Sequence, residues 1–292
     1  MFSNRLYTPL RYPGGKARFA AFIASLMQLN GLEGGHYAEP YAGGAGVALD
    51  LLYSGVASHV HINDYDEAVH AFWESATRHP EELMRLVRDT PVTMDQWYHW
   101  RSMLRGERQG SLVERGFATL FLNRTNRSGI LKAGVIGGKA QDGAYRLDAR
   151  YKTAQILERL ERIARHANRI LVYREDASAF LKRCANQLPS RSLIYLDPPY
   201  YVKGQELYRN YYEHEDHVRI AELICSARFP HSWVVSYDAV DEIQQMYRLA
   251  RSVRYGLHYT AQSRYVGSEI MFFSRDLDLG DFRVELPLDA AA

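Results

Sequence analysis

In LIYLDPPYY, residues 193–201, four residues of strand character run into a carboxylate, two prolines and two tyrosines. Proline has no N–H, so a sheet ladder must stop at Asp197, and the residue before a proline is held extended. The carboxylate therefore leaves the carboxyl edge of a sheet, with the carbonyl of Pro198 freed from any ladder and Pro199 stiffening the chain beyond it. A carboxylate beside a fixed carbonyl is a two-acceptor fork for an NH2 group, and the ring of Tyr200 is placed to stack on a flat molecule carrying that amine. An aromatic amine is a poor nucleophile because its lone pair is spread into the ring. Two acceptors draw the nitrogen toward tetrahedral geometry, aim the lone pair and stabilise the positive charge that develops. The competing reading is a stiff turn and nothing more.

Two further stretches carry chemistry. EPYAGGAGVALDLL, residues 39–52, brings a strand into a glycine-rich turn and then a helix. Such a turn lets the main chain approach a ligand closely. A second strand ends at Asp64, where a carboxylate can accept hydrogen bonds from ribose hydroxyls, so turn and acid together point to an adenosine-containing ligand. The alternative is a tight corner with a surface acid. RYPGGK, residues 11–16, is a sharp bend closed by Lys16, whose point charge suits a carboxylate or phosphate.

Those residues need a frame. HYAEP (36–40), HVHIND (59–64), RILVYRED (169–176), SLIYLDPPY (192–200) and SWVVSYD (232–238) are short apolar runs that end on polar residues. Helical patterns such as VALDLLYSG and DASAFLKRCANQL alternate with them, which predicts an α/β fold with a parallel sheet covered on both faces. Residues 248–275, RLARSVRYGLHYTAQSRYVGSEIMFFSR, predict an antiparallel hairpin closing the sheet. From about Glu67 to Ile163 the alternation gives way to a mainly helical insertion. The expected division is therefore 1–66 with 164–280, an inserted 67–163, and a tail at 281–292.

The 292-residue chain is 47% hydrophobic and 24% charged, the make-up of a soluble globular protein. Its net charge of +2 does not by itself announce a nucleic acid. Locally the balance is different. Residues 117–152 hold seven Lys/Arg against Asp142 and Asp148, in NRTNRSG and AGVIGGK among other stretches. That charge fits either a phosphate backbone or a solvated loop. Two cysteines without CxxC spacing argue against a disulfide framework or zinc site, and His214 and His217 lack further ligands, so no metal is expected. The absence of a signal-like or membrane-spanning apolar run gives a cytoplasmic expectation, with no membrane partner and a monomer assumed. No Walker-type loop is present. Asp238 is read as a cap for the following helix.

RYPGGK, EPYAGGAG, HINDYD and LDPPYY, in that order with a basic insertion between the glycine turn and DPPY, resemble the Dam-type (D12 class) DNA adenine-N6 methyltransferases. FLNRTNRSG and the closing pattern of Arg264 with SEIMFF add to the likeness, which spans roughly residues 5–275. The resemblance implies a Rossmann-like class I methyltransferase sheet with a reversed last strand, S-adenosylmethionine as methyl donor and duplex DNA as partner. By that resemblance Tyr12 and Lys16 line the donor's amino-acid end or the active-site cleft. Glu39, Pro40, Tyr41, Gly43 and Gly44 form the donor loop, Asp64 holds the ribose and Asp176 approaches the adenine. Asp197, Pro198, Pro199 and Tyr200 take the target base, with Asp197 also facing the donor. Where the family places a second glycine, this chain has Ala45. Adenine inside a duplex hides its amine, so the base must be extruded. Tyr201, Tyr208, Tyr211 and Tyr212 are candidates to order around it, and Arg124, Asn126, Arg127, Lys132 and Lys139 to contact phosphates. Methylation of RNA adenine, cytosine N4 or a protein amide, and a silent DNA-binding module, are the alternatives.

Overall fold

The strand SLIYL shows how the fold is made: all five residues are buried, as a strand sandwiched between two helical layers requires. The computed structural model describes residues 7–11, 19–201, 212–259 and 265–280. Seven strands are described: β1 (Gly35–Glu39), β2 (Ala57–Asn63), β3 (Ile170–Tyr173), β4 (Ser192–Leu196), β5 (Ser232–Asp238), β6 (Arg251–Tyr259) and β7 (Tyr265–Phe273). They form one sheet in the order β3-β2-β1-β4-β5-β7-β6. The first five are parallel, and β7 runs antiparallel between β5 and β6. This is the α/β sheet with a reversed last strand that the resemblance implies.

Successive residues along each strand feed opposite cores. Tyr37, Val60, Leu193 and Val234 face one side, where α1 (Ala20–Leu29) and α2 (Gly46–Ser54) pack. Ala38, Ile194, Val235 and Phe272 face the other, under α8 (Ala177–Gln187), α9 (His214–Cys225) and α10 (Asp241–Met246).

Between β2 and β3 lie α3 (Glu67–Arg78), α4 (Pro80–Asp89), α5 (Met94–Leu104), α6 (Leu112–Thr125) and α7 (Thr153–Arg165). Their starts are chemically marked. Asp66 caps α3 through Ala68 N, and Ser111 with Glu114 forms a capping box at α6. Gly116 is where α3 and α6 touch, because a Cβ there would lie 2.6 Å from the Ala71 carbonyl oxygen. Trp97, Trp100, Phe117 and Phe121 of these helices belong to the same buried cluster as Tyr37 and Val234 of the sheet. Among the described residues no helix is long and apolar enough to cross a membrane. The expected tail, 281–292, lies outside the described residues.

Candidate active site

The parallel strands all deliver their carboxyl ends to one edge, the usual ligand edge of an open α/β sheet. Glu39 closes β1, Asp64 follows β2, Asp176 follows β3, Asp197 follows β4 and Asp238 closes β5.

The glycine turn is fastened from three sides. Gly43 N donates to Asp64 Oδ2 at 2.9 Å, Ala42 N donates to Asn63 O at 2.9 Å, and Trp73 Nε1 on α3 donates to Gly43 O at 2.9 Å. Gly43 and Ala45 both adopt positive φ, 45° and 46°. The site of the missing family glycine is thus a left-handed position, which Ala45 occupies at a steric cost. Gly44 completes the bend. Asn63 was not singled out in the sequence. It is buried, donates to Pro40 O and Glu175 O, and accepts from Glu175 N, so it pins the ends of three strands together. A lone Asn at a strand end gives no pattern by which to find it.

Burial shapes the acids. Glu39 accepts from Tyr37 OH at 3.1 Å and from Ala48 N at 3.0 Å, yet burial, helped by Asp197, pushes its carboxyl up to about 8. Asp64 accepts from Gly43 N and Asp66 N, and burial pushes it up to about 7. Among the described residues no cation stands against either carboxylate. Asp176 instead caps α8 by accepting from Ser178 N at 3.0 Å. Tyr41 donates to Tyr212 OH at 3.1 Å. Next to Asp64 stands Tyr65, a large aromatic left 60% exposed at the ligand edge, which invites a flat group and which the sequence reading passed over.

At β4 the ladder with β5 stops at Leu196, as two consecutive prolines demand. Pro198 and Pro199 are buried, while Asp197 and Tyr200 are half-buried. Ser236 on β5 donates to Asp197 Oδ1 at 2.8 Å, and Ser236 Oγ meets Tyr195 OH at 2.9 Å. Tyr200 OH donates to Glu269 Oε1 at 2.9 Å, and Tyr255 OH donates to Glu269 Oε2 at 2.7 Å. Asp238, read from sequence as a helix cap, does another job: its side chain accepts from Tyr201 N at 3.0 Å, and no side chain caps α10. Tyr201 OH meets His214 Nδ1, and His217 Nδ1 meets Tyr237 OH, each at 2.9 Å. Tyr12, Lys16, Tyr208, Tyr211 and Arg264 lie outside the described residues.

The basic segment divides. Arg127, Lys132 and Lys139 are exposed. Arg124 and Asn126, expected at phosphates, are turned inward. Arg124 Nε donates to Pro9 O at 2.6 Å, and burial, with Arg159 and Arg11 nearby, lowers its guanidinium to about 10. Asn126 is fully buried, accepts from Trp97 Nε1 at 2.7 Å and donates to Ile130 O and Leu131 O. Both are struts. Gly134 and Lys139 line an open cleft of about 410 Å³ with Tyr98, Arg101, Ser102, Arg105 and Glu107. Tyr98, Arg101 and Arg105 sit three and four residues apart, one face of a helix, a spacing visible in sequence but overlooked there. The guanidinium of Arg101 lies 4.5 Å from the Trp97 ring centroid.

Residues 12–263 match the family described as D12 class N6 adenine-specific DNA methyltransferase. No curated protein matches the chain. Among solved structures, the Pyrococcus horikoshii protein PH1948, described as a candidate RNA methyltransferase, is similar at 11% identity and a TM-score of 0.41. That match covers 94% of this chain and 89% of that one. The Legionella pneumophila protein LPL1258 is similar at 14% identity and a TM-score of 0.33, covering 93% and 90%. Likeness that slight adds nothing to the reading of the site. The family match runs from the Pro-Gly-Gly-Lys bend through the glycine turn, the basic segment and DPPY, and stops just short of the reversed strand. On that span the chain belongs to the D12 class of N6 adenine-specific DNA methyltransferases.

Proposed function

We propose that this chain transfers a methyl group from S-adenosylmethionine to the N6 amine of an adenine flipped out of duplex DNA. The observation that carries the reading is the placement of Asp197. It stands at the ligand edge of β4, with one oxygen occupied by Ser236 and the aromatic Tyr200 beyond two buried prolines. A carboxylate held by a neighbouring hydroxyl keeps a defined direction, which is what an amine donor needs.

The donor fits the other half of the edge. Glu39 is buried and Asp64 half-buried, both are raised by desolvation without a cation beside them among the described residues, and a sulfonium nucleoside brings positive charge and ribose hydroxyls. When bound, it supplies an activated methyl carbon. Glu39, Gly43, Gly44 and Asp64 hold it, Pro40 and Tyr41 shape the loop, and Tyr65 and Asp176 border its base. Tyr12 and Lys16 complete the amino-acid end. Asp197, with the Pro198 carbonyl, would grip the acceptor amine and stabilise the positive charge that grows on its nitrogen as the methyl group is taken from the sulfonium, whose C–S electron pair returns to sulfur to leave a neutral thioether. The surplus N–H proton would then pass to water. Tyr200 stacks on the base.

Residues 1–66 and 164–280 form the donor-binding part, and 67–163 the DNA-binding part. Arg127, Lys132 and Lys139 contact phosphates, with Arg101 and Arg105 extending that face. Replacing Asp197 by Ala is expected to abolish transfer while leaving donor affinity nearly unchanged. Labelled methyl incorporation into adenine-containing DNA duplexes, with RNA and cytosine-only duplexes alongside, tests this. Near-normal turnover of Asp197→Ala would sink the assignment, and label in RNA or cytosine alone would move it to another acceptor.

A further inference from the structure

We propose that Glu269 is a positioning residue for the transfer, gripping the Tyr200 hydroxyl and thereby fixing the ring on which the target base rests. The inference rests on the proposed role of Tyr200 as the stacking ring. Glu269 is 1% exposed and arrives on the reversed strand β7, whose register sets it opposite Asp238 on β5 and Tyr255 on β6. Each of its oxygens accepts from a phenol, Oε1 from Tyr200 at 2.9 Å and Oε2 from Tyr255 at 2.7 Å.

The far phenol is itself anchored. Tyr255 is buried and packs edge-on against Phe19, with ring centroids 5.4 Å apart. The grip therefore runs from the core, through one carboxylate, to the tyrosine of the DPPY motif. A tyrosine turns about two side-chain torsions: holding its para oxygen stops the swing about the first, and because a phenol O–H prefers the plane of its ring, the direction of the bond to Glu269 orients the ring face about the second. The ring face is then set by the protein before any base arrives. A buried carboxylate costs several kcal/mol unless hydrogen bonds compensate it, and the bonds from Tyr200 and Tyr255 are among those that do so here. With one oxygen for each phenol, a single side chain holds the motif's tyrosine and ties it to the core together.

The test uses the full chain with Glu269→Ala, Glu269→Gln, Tyr200→Phe and the double variant of the first and third. Expected are about ten-fold losses of kcat on adenine-containing duplexes for Glu269→Ala and Tyr200→Phe, the scale of a small misplacement of a reacting group. The double variant should lose no more than the worse single, because both remove the same grip. Glu269→Gln should lie between wild type and Glu269→Ala, since its amide oxygen still accepts. Donor affinity, by calorimetry, should be unchanged. Multiplying losses, full kcat in Tyr200→Phe, or a change confined to melting temperature each overturns the proposal. Should Glu269→Ala not fold, Glu269→Gln takes its place in the cycle. The fluorine resonance of 3-fluorotyrosine at position 200 provides a reading without turnover: it should shift and broaden in Glu269→Gln, and an unchanged signal also overturns the grip. A wild-type protein that methylates no adenine refutes the proposed methylation instead, and the fluorine signal still decides whether Glu269 holds the ring.

Discussion

The surroundings of Glu39 and Asp64 resist the ionised form, and this makes both stability and affinity depend on pH. Burial raises Asp64 from 3.8 to about 7 and Glu39 from 4.5 to about 8. The folded chain thus holds these protons more tightly than the unfolded chain does. Their contribution to the free protein is fully present below the ordinary carboxylate values and is lost as pH rises through about 7 and about 8. A cationic donor favours the ionised acids, so its affinity runs the other way. Between pH 6 and pH 8.5, spanning both raised values, the melting temperature of the free protein should fall while S-adenosylmethionine binds more tightly. Calorimetric titrations across that window check it, and a flat affinity would mean neither acid meets the ligand. At this scale the sequence was informative about Asp64 and Asp197, since each terminates an apolar run at the ligand edge. It was silent on Ser236 and Glu269, polar residues inside strands whose partners come from other strands. Direction also escaped it: the inward turn of Arg124 and Asn126 depends on Pro9 and Trp97, distant in the chain.

The glycine turn shows how an element tolerates a residue that its geometry disfavours. Ala45 is left-handed, at φ 46° and ψ 36°, and 1% exposed. Reversion to glycine relieves about 1–2 kcal/mol of steric conflict. It also removes a buried methyl worth about 0.8 kcal/mol and adds about 0.5–1 kcal/mol of backbone freedom to the unfolded chain. The terms nearly cancel, so Ala45→Gly should change stability by under about 1 kcal/mol. Ala45→Val, branched and bulky at positive φ, should cost more than about 2 kcal/mol. Urea titrations measure both, and a harmless valine would contradict the left-handed assignment. The strands themselves were legible because sheets buried on both faces leave continuous apolar runs. Their ends were less so: β3 stops at Tyr173, ahead of the Arg-Glu-Asp that the apolar run leads into. There the main chain leaves the ladder so that Glu175 can bond Asn63.

Across the whole molecule, charge is sorted by depth. Arg127, Lys132 and Lys139 reach solvent, whereas Arg124 and Arg159 tie the amino-terminal stretch down by bonding Pro9 O and Thr8 O, and Asn123 exchanges two bonds with the Arg11 main chain. Lys132→Gln and Lys139→Gln should each weaken DNA binding and reduce the salt slope of the association constant by about one. Arg124→Gln should lower the melting temperature and leave that slope intact. Binding titrations over a series of salt concentrations separate the two classes, and a slope change in Arg124→Gln would return that residue to the interface. The excess of positive charge was legible from composition, but not which cations are structural, because burial is a property of the assembled chain.

The helices between β2 and β3 share one apolar interior with a face of the sheet, Trp97 and Phe117 in a continuous cluster with Tyr37 and Val234. A foreign recognition segment grafted at that junction would therefore not behave as an interchangeable cassette. It would strip side chains from beneath that face of the sheet, so on the proposed division between donor and DNA parts, altering sequence preference calls for edits on the outer faces of α5 and the loop after α6, with the inner faces retained.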